Sequence, residues 1–132
     1  MLHWITQIIK GLGAEPRVAW CSFAPNGTSD PATASNTGPR GLKAFTTTYA
    51  ATGLYTITFP SDFAPPSDAT FLVVPQPADL TGYFEASQVG AYNSATRQLQ
   101  VQAKRANSGN APAAAAGCRI HIGIFFNDSS GA

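Results

Sequence analysis

The sequence predicts an all-β domain: an antiparallel β-sandwich, jelly-roll-like, with a short amphipathic helix at its N-terminus. Three observations carry that expectation. Seven or eight short runs alternate apolar and polar residues with a period of two, and turn formers separate them at the spacing of a sandwich or barrel. No helical pattern lies between these runs, which excludes a parallel sheet wound with crossover helices. A chain of 132 residues, 44% of them hydrophobic, is one domain's worth and can bury a core without a metal or a disulfide framework.

The first dozen residues hold the one convincing helical period. Ile5, Ile8, Ile9 and Leu12 stand at i, i+3, i+4 and i+7, and Leu2 and Trp4 extend the apolar face. Gly11 and Gly13 stop the pattern, and Pro16 confirms the break. About three helical turns are marginal in water alone, so the stripe needs a surface. That surface is the domain's own sheet, copies of the stripe from other subunits, or a larger partner. The chain therefore divides into an anchoring helix and linker (1–16), a β-sandwich (17–126) and a C-terminal tail (127–132).

From residue 17 onward the period is two. Residues 17–23 read as a strand, and 24–41 as a long polar loop of turn formers, a length that marks a functional or mobile segment. Residues 42–49 and 54–59 form a hairpin about Ala51-Thr52-Gly53, with Tyr55, Ile57 and Phe59 on one face. Pro65-Pro66 withholds two ladder donors in succession, so residues 60–69 are irregular. Thr70-Phe71-Leu72-Val73-Val74 is a continuous apolar run, which predicts a strand covered on both faces. Strands follow at 82–86, 88–92 and 98–103, the last two joined by a turn at Asn93-Ser94-Ala95-Thr96. A second loop-like stretch, 107–117, precedes the clearest strand. There Ile120, Ile122, Ile124 and Phe126 point one way, while Arg119, His121 and Gly123 point the other.

Composition excludes several functions. Eight Lys and Arg against seven Asp and Glu leave a net charge of +1, and the charged fraction of 11% is less than half the ~25% usual for soluble domains. Lys104-Arg105 is the sole adjacent basic pair, so the charge concentration that holds phosphate backbones is missing and no nucleic-acid partner is expected. No stretch approaches the ~20 apolar residues of a membrane span. The N-terminus also lacks the basic first region and cleavage site of a signal peptide. Thr, Ser, Asn and Gln supply the surface polarity instead of charge, which suits a protein partly covered by other subunits.

No catalytic, cofactor or metal site is expected. The cysteines lack metal-ligand spacing, His3 and His121 lie in unrelated settings, and the seven acids are dispersed. Nucleophile-elbow and phosphate-loop motifs are absent from the sequence. His121 reads as a polar-face residue at a subunit contact or in solvent. Cys21 and Cys118 read as buried thiols, with a bridge between neighbouring first and last strands as the alternative. Tyr83 and Tyr92, beside polar residues, are the candidates for stacking on a sugar ring, although aromatic residues on strands more often serve a core or an interface.

Arg17-Val-Ala-Trp-Cys-Ser-Phe23 is followed, after the polar loop, by Lys43-Ala-Phe-Thr-Thr-Thr-Tyr-Ala-Ala-Thr-Gly-Leu-Tyr-Thr-Ile-Thr-Phe59 and a Pro-rich turn. Across about residues 17–126 the chain resembles the small β-sandwich domains of tailed-bacteriophage virion proteins, of the head-decoration, head-fibre or tail-fibre knob type. Their pattern is an Ala-Trp strand, a Gly-x-Tyr-Thr-x-x-Phe strand ending in a Pro/Asp turn, and a closing aliphatic strand. The resemblance implies a non-enzymatic, homotrimeric appendage on the virion surface, made in the host cytoplasm, with other virion proteins as partners and loops that contact a host glycan or protein. It departs from the tail-fibre setting in having 16 residues, not a long shaft, before the first strand. That leaves Leu2, Trp4, Ile5, Ile8, Ile9 and Leu12 as the expected attachment and oligomerisation residues. The alternative function is a carbohydrate-binding module used in host-surface adhesion, with Tyr83 and Tyr92 on the glycan.

Overall fold

A computed structural model describes residues 15–26, 29–38, 44–77, 84–105 and 118–128. The predicted N-terminal helix with its six stripe residues, the stretch 107–117, Tyr83 and residues 129–132 lie outside these. The described residues form seven strands: β1 (Glu15–Phe23), β2 (Thr46–Ala51), β3 (Leu54–Thr58), β4 (Thr70–Pro77), β5 (Phe84–Asn93), β6 (Gln98–Arg105) and β7 (Cys118–Asp128). They make two antiparallel sheets, one of three strands in the order β1-β7-β4 and one of four in the order β2-β3-β6-β5. Strand pairing extends to Glu15 opposite Asp128, two residues beyond each end of the span 17–126.

The sheets face each other across one core because alternate residues of β1, β3, β6 and β7 are apolar. Cys21 and Phe23 of β1, Ile120, Ile122 and Ile124 of β7, Tyr55 and Ile57 of β3, and Leu99 and Val101 of β6 are all fully buried. Removing each large apolar side chain from water is worth ~1.5–3 kcal/mol. Aromatic rings bridge the sheets: Phe23 meets Tyr55 edge-on at 5.6 Å, and Phe71 of β4 stacks on Phe59 at 6.0 Å and tilts against Tyr92 of β5 at 5.0 Å.

Local chemistry sets the turns. Gly53 takes φ 72° in the β2–β3 turn, and its carbonyl accepts the Ala103 amide at 2.8 Å. Asn93 Oδ1 accepts the amides of Ala95 and Thr96 at 3.0 and 3.2 Å, which folds the β5–β6 connection. Arg97 ties that turn to the end of β3: its carbonyl accepts the Phe59 amide at 2.9 Å, and its Nε donates to the Phe59 carbonyl at 3.0 Å.

The structure departs from four sequence expectations. Residues 82–86 and 88–92 are not two strands, because β5 runs unbroken from Phe84 to Asn93. Gly90, at φ 71° where the register shifts, absorbs the irregularity as a bulge. The first hairpin strand opens at Thr46, not at residue 42. The loop after β1 is also a built part of the fold. Thr37 makes an isolated bridge with Ser22, and the Asn36 side chain donates through Nδ2 to the carbonyl of buried Phe45 at 2.8 Å. The fourth departure concerns β4, whose run from Thr70 to Val74 is covered on one face only.

Pro16 lies on β1, and Pro75 and Pro77 on β4. Both are edge strands of the three-stranded sheet, where a missing N–H costs the ladder least. The cysteines are buried thiols and are not bridged. Cys21 stands opposite Ile122, and Cys118 is four residues further along β7, ~13 Å at ~3.3 Å per residue. A disulfide needs Cα atoms within about 7 Å.

Candidate interaction surface

On β7 the alternation that sends Ile120, Ile122 and Ile124 inward sends Arg119, His121, Gly123 and Phe125 outward. Register fixes their neighbours on that outer face. Phe125 lies between Val18 and Thr70, Gly123 between Trp20 and Leu72, and His121 between Ser22 and Val74. The result is an apolar face on the outside of the three-stranded sheet. Val18 is 69% exposed, Leu72 55%, Trp20 50%, Val74 44% and Phe125 42%. These five are the large hydrophobic side chains left in water among the described residues.

Gly123 lets this face be level. A Cβ at that position would stand 3.2 Å from Cε2 of Phe125 and 3.7 Å from Cβ of Leu72, so the Phe125 ring occupies the space a side chain would need. The apolar rows end at a polar border. His121 Nε2 and Gln76 Oε1 are 2.6 Å apart. Arg119 Nη1 donates to Ser22 Oγ at 3.0 Å, to the Ser35 carbonyl at 2.9 Å and to Thr37 Oγ1 at 3.4 Å. Ser22 Oγ and Thr37 Oγ1 also hydrogen-bond each other. Ser22 sits on the outer side of β1 and is nevertheless fully buried, because the loop at 35–37 roofs it.

The outside of the four-stranded sheet is different in kind. Thr46 and Thr48, Thr56 and Thr58, and Gln98, Gln100 and Gln102 fill most of its rows, the pair Glu85 and Lys104 stands on the same parity at the far end of β5 and β6, and Gln100 Nε2 approaches Thr56 Oγ1 at 3.5 Å. The body thus has a polar face rich in Thr and Gln and an apolar face on opposite sides.

Of the two tyrosines expected to meet a glycan, Tyr83 is outside the described residues, and Tyr92 is half-buried on β5. Its ring packs against Phe59 and Phe71, and its hydroxyl donates to the Pro65 carbonyl at 2.9 Å. Burial raises its pKa, and the nearby Arg97 charge works in the opposite direction. These contacts hold the Pro-rich turn against the core. His121 lies on the outer face beside the apolar patch. Burial pushes the Cys21 thiol up to about 12 and Cys118 to about 11, so both stay protonated and unreactive at neutral pH. Among the described residues, no three His, Cys, Asp or Glu side chains group as a metal site, and no helix is long and apolar enough to cross a membrane.

What this surface can do is bind another apolar surface. Sequence reading did not single it out, although two signals were present. The apolar run 70–74 has more hydrophobic residues than one buried face needs, and Val18 and Trp20 are apolar on the parity opposite to Ala19, Cys21 and Phe23. Comparison of the chain with protein-family models, with curated proteins and with solved structures finds no match.

Proposed function

We propose that the chain is a non-enzymatic structural subunit of a tailed-bacteriophage virion, a homotrimeric appendage on the surface of the capsid or the tail. The observation that carries this reading is the contrast between the two outer faces. One is a polar surface dominated by Thr and Gln and suited to solvent, and the other exposes Trp20, Leu72 and Phe125 together. An apolar patch of that kind marks an interaction site. β1 begins at Glu15 and bears Val18 and Trp20 on its outer side. The start of β1 beside that patch supports an assembly contact made through the three-stranded sheet.

The strand order supports the jelly-roll-like reading. β1 pairs with β7, and the chain crosses from one sheet to the other between β1 and β2, β3 and β4, β4 and β5, and β6 and β7, so both sheets close on one core. Light scattering on the purified full-length chain tests the proposal, with an expected mass three times the 13.8 kDa of one chain. A monomer would remove the trimeric appendage.

A further inference from the structure

We infer that the outer face of the three-stranded sheet seats residues 1–13 of a neighbouring copy of the chain. This rests on the homotrimer proposed above and names what its subunit contact is made of. A cyclic trimer closes only through a heterologous contact, in which a patch on one copy meets a different surface on the next. Two copies of the Trp20–Phe125 face pressed together would form an isologous pair and stop at a dimer. The patch therefore needs a second, non-identical apolar surface on the same chain. Outside the strands the sequence offers one, the helical-period stripe of Leu2, Trp4, Ile5, Ile8, Ile9 and Leu12.

Size, charge and position agree with that occupant. Weighted by exposure, Val18, Trp20, Leu72, Val74 and Phe125 present on the order of 500 Å², taking ~150–250 Å² per large side chain. That is short of the ~800 Å² per partner of a standard interface between two bodies. It matches one face of a three-turn helix about 20 Å long. Lys10 is the one charged residue of the segment, and all five patch side chains are uncharged, so no ion pair has to be stripped of water to join them. The segment enters its own body at Glu15, at the end of β1 where the apolar rows begin.

The test compares three forms by light scattering: the full chain, the chain lacking residues 1–13, and the full chain with Trp20→Ser and Phe125→Ser. The buried core runs from Ala19 to Ile124, so the truncation leaves it whole, and far-UV circular dichroism checks that the β-structure persists. A synthetic peptide of residues 1–13 with Trp4→Phe is then added to the shortened chain, where Trp20 is the remaining tryptophan. The inference expects a trimer for the full chain, monomers for the other two, and a saturable blue shift of Trp20 emission with peptide. A shortened chain that remains trimeric, or a peptide that leaves Trp20 emission unchanged, overturns the inference and leaves the trimer standing. A full chain at one or two chain masses overturns the trimer, and with it the exchange between copies, even where the peptide binds.

Discussion

Single residues in this fold have separable roles, and the thiols show it best. Cys21 and Cys118 carry raised pKa values because burial penalises the thiolate, so the folded state keeps its protons where the unfolded chain gives them up. Above pH 9.0, the ordinary value of a thiol, the folded form binds more protons than the unfolded one, and stability must fall as pH rises. The loss is at most about 1.4 kcal/mol per pH unit for each thiol. It runs from about pH 9 to about 11 for Cys118 and to about 12 for Cys21. Urea midpoints measured between pH 7 and pH 10 should decline, and Cys21→Ala should decline less steeply over that window from a lower starting value. A flat profile for the parent chain would show that the thiols are not buried as described. Tyr92→Phe removes the donor to the Pro65 carbonyl while keeping the ring, and should cost ~1 kcal/mol of unfolding free energy. Gly90→Ala meets no atom within 4 Å but keeps φ 71°, so its expected penalty of about 1–2 kcal/mol is backbone strain alone.

Elements are held by contacts that range from legible to invisible in the sequence. The inward row Ile120, Ile122 and Ile124 is legible because alternation and β-branching say the same thing, and the β5–β6 turn is legible because Asn93 can cap its own turn. Gly90 misleads. A glycine in a strand pattern signals either an end or a bulge, and only pairing with β6 decides which. The strap after β1 is hidden for another reason: Arg119 reaches Ser35 across 84 residues, and no local pattern encodes that distance. Removing the guanidinium therefore tests the strap as a unit. In Arg119→Met the amides of Ser22 and Thr37, each 2.8 Å from the other's carbonyl, should exchange with solvent faster than in the parent chain. The amide of Ile57 in the four-stranded sheet should keep its protection. Unchanged exchange at Ser22 and Thr37 would mean that the backbone bridge holds the strap without Arg119.

At the scale of the whole molecule, the pairing of the first strand with the last makes the C-terminal strand the keystone. β7 is the centre of the three-stranded sheet, and β1 and β4 each pair with it and not with one another. Three of the fully buried isoleucines belong to it, and replacing a single buried Ile by Ala costs ~2–5 kcal/mol. The sum approaches the ~5–15 kcal/mol that stabilises an entire domain. Composition and periodicity announce a two-sheet protein, but they cannot say that β7 is central, because strand order is a long-range property. The same limit hid the apolar outer face: Trp20 and Leu72 flank Gly123 from strands about 50 residues apart in the chain. A chain ending at residue 117 keeps β2, β3, β5 and β6 but leaves β1 and β4 unpaired and one side of the core open to water. It should give no cooperative unfolding transition and should bind a hydrophobic dye, whereas a chain ending at residue 128 should unfold as sharply as the full sequence. A cooperative transition in the shorter chain would show that the four-stranded sheet is stable alone and that β7 completes the fold without being required for it.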